Sequence, residues 1–234
     1  TGGPEAFDCL WNDDQMGEGW SDYLASMLTM RATDERSLAR PMGTYTRVQP
    51  NSGQGIRPAA YSTDMAVNPY TYGDSNDPAI TMPHGIGFIW ATMLWDFTWD
   101  LIDEYGMDPD LNGGDGGNNV ALGLVMDGMK LQACEPGMVD GRDAILLADS
   151  LYHDAANSCL LWNAFARRGL GLSAQQGSTD DRFDQVEAFD VPAACVGIGV
   201  AGTGAAPPAF RLLPNPAQGA VSVRLATPVQ AGAQ

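Results

Sequence analysis

Glu18 and Asp22 stand four residues apart in the run Met16-Gly17-Glu18-Gly19-Trp20-Ser21-Asp22-Tyr23. In a helix that spacing sets both carboxylates on one face, one turn apart. A carboxylate so placed can bind a zinc ion. A second, a turn later, can accept a hydrogen bond from a ligating histidine and so aim its ring. Hydrolysis at such a metal also needs further ligands and a general base, which a helix bearing H-E-x-x-H supplies together. The chain contains two histidines, His84 and His153, and neither lies in that pattern. Taken alone, Glu18 could equally be a solvated acid in the first turn of a helix, favoured there by the dipole. Its neighbours Gly17 and Gly19 argue otherwise, since each weakens a helix by roughly 1 kcal/mol relative to Ala. That cost is understandable where another helix or a metal comes close.

The elements that must position these groups are mostly helical. Trp20, Leu24 and Leu28 recur at helical spacing, which predicts a first helix over about residues 14–30. Residues 41–82 are rich in Gly, Pro, Asn, Ser and Tyr without a sustained period, and read as an ordered loop region of the kind that walls a cleft. The strongest helix spans about 83–105, with Pro83 suited to the first turn and Gly106 to the end. Ile86, Trp90, Leu94, Phe97 and Leu101 line one face, while Trp95, Trp99 and Ile102 cover another, so this helix belongs at the centre of a bundle. Further helices are expected at about 119–134, 141–153 and 156–168, with a short one at 181–189. The acidic Gly-rich segment 108–117 lacks the spacing and closing Glu of an EF-hand loop, and reads as a surface turn.

Composition bounds the function. With 29 acidic against 12 basic residues, the formal net charge of −17 excludes the basic patches that nucleic acid or anionic membranes require. No apolar run reaches the roughly 18 residues of a membrane span. Cys9, Cys134, Cys159 and Cys195 contain no C-x-x-C pair, which argues against a cysteine zinc site. The residues leave open whether they form extracellular disulfides or are buried small hydrophobes.

An ordered series of motifs resembles the fungalysin-type extracellular metallopeptidases, which belong to the thermolysin-like zinc peptidases. It begins with Thr1-Gly2-Gly3-Pro4 and Gln15 to Asp22, then runs through Pro41-Met42-Gly43, Gly55-Ile56-Arg57 and Tyr61-Ser62-Thr63. Asn68 to Tyr72, His84-Gly85-Ile86-Gly87, Trp90 to Trp95, Gly141 to Leu146, Ala164 to Gly171 and Gln185 to Phe189 follow. The resemblance implies a mainly α fold, the C-terminal helical lobe of a thermolysin-like zinc peptidase, beginning just after the H-E-x-x-H helix. It further implies one zinc ion as cofactor, Glu18 as metal ligand and Asp22 as hydrogen-bond partner of a histidine ligand. In this reading a zinc-activated water attacks the peptide bond, with the general base and two His ligands supplied by the N-terminal half of the catalytic domain. His84, in a His-x-x-Gly motif just before the central helix, would face the metal and donate to the oxyanion. Arg57 is compatible with a contact to a substrate carbonyl or with a loop salt bridge, and Tyr61, Tyr70 and Tyr72 with cleft lining or ordinary packing. His153, late in a helix, reads as structural.

The expected activity is therefore that of a secreted zinc metalloendopeptidase acting on proteins or peptides, with this chain alone inactive. A competing reading is a non-catalytic peptidase fold kept as a binding or surface module. Three parts are expected: residues 1–196 in the catalytic domain, a Gly/Ala/Pro linker at 197–209, and a β-type segment at 210–234. In the last part, Leu213-Pro214-Asn215-Pro216-Ala217 followed by the alternating Val221, Val223 and Leu225 resembles the start of a type IX secretion sorting domain, which implies that secretion machinery as a partner.

Overall fold

The structure, a computed structural model, describes residues 9–197 with their side chains and the backbone of residues 210–213 and 222–225. The Thr1-Gly2-Gly3-Pro4 run and nearly all of the 197–209 linker lie outside the described residues. Five α-helices are described: α1 Gly17–Thr29, α2 His84–Tyr105, α3 Gly117–Leu131, α4 Met138–Tyr152 and α5 Ser158–Arg167. The strands β1 Phe210–Leu213 and β2 Ser222–Leu225 pair antiparallel, Phe210 opposite Leu225 and Leu213 opposite Ser222. The chain divides into two compact units, one through Ile198 and one from Gly199.

The helix α2 is the hub of the first unit. Every residue from Gly85 to Ile102 is buried, because α1, α3 and α5 all pack against it. Its aromatic side chains hold the neighbours in place: Trp90 meets Trp20 of α1 edge-on and stacks on Phe165 of α5. Such pairs add to the burial of their large apolar surfaces.

Two buried acids on α2 fix the remaining pieces. Asp96 accepts from Arg168 and Arg167, and Asp100 accepts from Arg167 and Arg36. Arg168 is itself fully buried and donates onward to the carbonyls of Ser62, Asn68 and Tyr70. A buried guanidinium is tolerable only when its N–H groups are met in this way. The irregular segment between α1 and α2 is thus pinned to the helical core despite having only two short 3-10 turns, Thr44–Arg47 and Tyr72–Asn76.

The cysteines pair as Cys9–Cys134 and Cys159–Cys195, settling the choice that the residues leave open. Two departures from expectation have visible reasons. Helix α1 starts at Gly17 rather than near residue 14, because the Asp13 and Asp14 amides donate to the Thr179 carbonyl instead of entering a helix. Residues 181–189 form turns and bridges, not a helix. Val186 pairs with Gln175 and Ala188 with Leu170, so the backbone groups are used between segments.

Candidate active site

Helices α1 and α2 cross with their backbones in contact. A Cβ at Gly19 would overlap the Gly87 carbonyl, and one at Gly87 would overlap the Gly19 nitrogen. This close crossing brings the first turn of α1, with Glu18, against the first residue of α2, His84. His84 Nε2 lies 3.8 Å from Glu18 Oε2, too far for a hydrogen bond, and the two side chains are 58% and 38% exposed. Both groups therefore face a solvent-accessible space that they share.

One turn deeper, Asp22 is buried and accepts from two side chains. Arg57 donates to it as a fork, Nε to Oδ2 at 2.6 Å and Nη2 to Oδ1 at 2.8 Å, and Tyr61 donates its hydroxyl to Oδ2 at 2.5 Å. Arg57 Nη2 also reaches Glu18 Oε2 at 3.2 Å. The planar guanidinium matches the carboxylate plane, which makes such bidentate pairs strong and directional. Hydrogen bonding to Asp22 holds Arg57 further toward its charged form, against the opposing effect of burial. Burial and the adjacent Asp22 carboxylate push the Tyr61 phenol well above its ordinary range, so it remains a donor.

Local structure explains why Tyr61 is available. Arg40 and Tyr61 exchange both backbone hydrogen bonds, and the Tyr61 ring packs on Phe88 of α2. Tyr70 meets the same phenylalanine edge-on. Its place in the Tyr61-Ser62-Thr63 motif was the available signal for Tyr61, but nothing in the spacing says that its hydroxyl serves Asp22.

Glu18, Asp22, Arg57 and His84 thus come together. Tyr72 does not join them. It is 1% exposed, its hydroxyl donates to the Gln175 carbonyl at 3.4 Å, and its charged surroundings are Asp14, Arg142, Asp184 and Asp140. Burial pushes its phenol above the ordinary range. Of its two sequence readings, core packing is the one that this burial shows. Arg57 is likewise buried, and of its two sequence readings the structure places it in the salt bridge.

Among the described residues, no three His, Cys, Asp or Glu side chains gather into a metal cluster. Glu18 offers one carboxylate, and its Oε1 makes no hydrogen bond among the described residues. That is one donor where a catalytic zinc needs three protein ligands. The residues present do not by themselves fit a zinc ion.

The fungalysin metallopeptidase model matches residues 1–174. The chain belongs to the fungalysin family. Over 202 residues it is 41% identical to Extracellular metalloproteinase 2 of Trichophyton tonsurans, covering 83% of this chain and 30% of that protein. Over 186 residues it is 42% identical to Extracellular metalloproteinase MEP of Neosartorya fischeri, covering 76% and 28%. The chain thus spans about 30% of the length of these curated relatives. The family and the mainly helical character match the sequence reading. Among the described residues no helix is long and apolar enough to cross a membrane.

Proposed function

We propose that this fungalysin chain is the helical lobe of a secreted zinc metalloendopeptidase that cleaves proteins or peptides. The observation that carries the reading is the pairing of Glu18 with His84 across the Gly19–Gly87 crossing, above an Asp22–Arg57–Tyr61 lock. Glu18 presents the metal-binding carboxylate from a helix whose face the lock holds in register. His84 offers a ring nitrogen to the same space, where an N–H donor would stabilise charge that develops on a substrate carbonyl only in the transition state. Two further ligands and the general base come from a segment outside these residues. Asp22, already held by Arg57 and Tyr61, still has capacity on Oδ1 for a further donor such as a histidine ring N–H.

Two disulfides and relatives named extracellular support secretion. The β1–β2 pair supports a β-type segment; the sorting-type reading, with type IX secretion machinery as partner, rests on the Leu213 to Ala217 run and the alternation after it.

The test is Glu18→Ala in the full-length protein. It is expected to lose most of its bound zinc, measured by mass spectrometry of the metal, together with nearly all chelator-sensitive proteolysis. A folded Glu18→Ala protein with stoichiometric zinc and undiminished activity would sink the assignment.

A further inference from the structure

A second group of acids lies where three loops meet, apart from the Glu18 cluster: the entry to α1 (Asp13, Asp14), the start of α4 (Gly137, Asp140) and the 175–185 segment. Asp14 is 3% exposed, and its Oδ2 has no hydrogen-bond partner, although Oδ1 accepts from Gln185 Nε2 at 2.5 Å. Gln185 is 5% exposed and leaves its own amide oxygen, Oε1, unpartnered. Two buried oxygens on hydrogen-bonded neighbours are therefore unsatisfied, a costly arrangement unless something else meets them.

The space beside Asp14 Oδ2 is kept open by Gly137. A Cβ there would lie 3.0 Å from Asp14 Oδ2 and 2.5 Å from Gln176 Oε1, so both oxygens border the same gap. Gln176 Oε1 accepts one bond, from the Asp140 amide at 3.0 Å, and retains a second lone pair. Gln176 Nε2 in turn donates to Asp140 Oδ2 at 2.6 Å, which fixes the amide with its oxygen toward the gap.

The surrounding potential is negative. After burial itself, Asp184, Asp13 and Asp140 act on Asp14 and oppose its ionisation, while the Gln185 hydrogen bond favours it. Arg142, which acts on Tyr72 together with Asp14, Asp184 and Asp140, is engaged by the Gly171 carbonyl, Asp143 and the face of Trp162.

We propose that the gap bordered by Asp14 Oδ2 and Gln176 Oε1 is a binding site for a hard divalent cation of the calcium type, with the unpartnered Oε1 of Gln185, which donates to Asp14 through its Nε2, as a further oxygen donor. The donors are carboxylate and amide oxygens with no nitrogen or sulfur, which suits calcium rather than zinc. Water would complete the shell, and Asp184, Asp13 and Asp140 supply field rather than bonds. The ion would tie the entry of α1 to α4 and to the 175–185 segment, and so steady the helix that carries Glu18.

The test is calcium titration of the chelator-treated 234-residue chain, by calorimetry and by thermal unfolding with calcium chloride or with chelator. One site of about 0.1–1 mM affinity, the range of extracellular modules, is expected, with a melting temperature several degrees higher in 10 mM calcium than in chelator. Asp14→Asn and Gly137→Ala should each abolish that calcium-dependent rise. The surface control Asp127→Asn should keep it. Absence of binding by the wild-type chain would overturn the proposal. So would a calcium-dependent rise that survives in folded Asp14→Asn, because the ion would then sit elsewhere, for example in the 108–117 loop. A melting temperature that calcium leaves unmoved while Asp14→Asn raises it would show that Asp14 holds a proton instead, and would equally end the idea.

Discussion

Gly19 and Gly87 meet backbone to backbone where α1 crosses α2, and neither position has room for a Cβ. The crossing sets the distance between Glu18 and His84. Alanine is the better helix former by about 1 kcal/mol, so an isolated α1 would be stabilised by Gly19→Ala. Here the added methyl presses on backbone, which cannot swing aside as a side chain can. Overpacking of that kind typically costs about 1–3 kcal/mol. Gly19→Ala is expected to lower the melting temperature by several degrees. Gly17→Ala, whose Cβ would make an ordinary 3.6 Å contact with Leu10, should leave it unchanged or raise it slightly. Equal effects at the two positions, read by calorimetry, would dismiss the crossing as the cause.

The Asp22–Arg57 pair gives a second prediction. Both side chains are buried, and Arg57 keeps only a 3.2 Å bond to Glu18 once Asp22 is removed. Stranding a buried charge costs about 3–5 kcal/mol. Asp22→Ala should therefore destabilise the chain strongly even without metal. Tyr61→Phe, which removes one bond to the carboxylate, should cost about 1.5–3 kcal/mol. Urea unfolding of the metal-free chain measures both. If Asp22 served only to orient a histidine ligand, the metal-free Asp22→Ala chain would be as stable as the parent.

The helices were legible because their apolar residues recur at helical spacing. Even the burial of α2 on all sides could be read from Trp95 and Trp99 lying off the Ile86–Leu101 face. Glu18, Asp22 and His84 were legible as a motif, although in sequence Glu18 and His84 are far apart and only the glycine crossing unites them. The partnership of Asp22 with Arg57 and Tyr61 was not legible, because it depends on the fold of a loop without periodicity. Tyr72 stayed between cleft lining and packing for the same reason, since its burial depends on contacts with Arg168 and Gln175 that lie far along the chain. The 181–189 stretch failed as a helix because its pairing partners, Gln175 and Leu170, come from tertiary contacts that local propensity does not contain.

For His84 the prediction concerns rate rather than metal. In the full-length protein His84→Ala should retain zinc and fold normally, because the side chain is largely exposed and packs on little. Loss of a single oxyanion donor lowers kcat by roughly 100–1,000-fold, and a fall of that order with little change in KM is expected. An unchanged kcat in a folded His84→Ala enzyme would remove His84 from the reaction.

The division of the chain near Gly199 leads to a truncation. Cys195 is bonded to Cys159, so a chain ending at Val196 keeps both disulfides and all five helices. Its melting temperature should match that of the 234-residue chain within a degree or two, while the intact gene product lacking residues 210–234 should fail to be secreted. A drop of several degrees would mean that the β1–β2 segment buries apolar area against the helices, at about 25 cal/mol per Å², and would refute an independent sorting segment.

Asp14 makes stability depend on pH in a direction that can be worked out. In calcium-free solution burial and three neighbouring acids raise its pKa from 3.8 to about 8. Between those values the folded chain holds a proton that the unfolded chain has lost, so the contribution of Asp14 to stability falls as pH rises. It is fully present below about pH 4 and is lost as pH passes through about 8. Asp14→Asn carries no charge to develop, and that part of the decline should vanish. Urea midpoints measured in chelator from pH 5 to 9 should therefore show the variant gaining on the parent steadily as pH increases. Calcium should narrow the gap at the alkaline end, because an ion beside Oδ2 favours the carboxylate in the folded state. Parallel profiles for the two chains in chelator would show that Asp14 ionises normally, and the field ascribed to Asp184, Asp13 and Asp140 would then be too weak to matter.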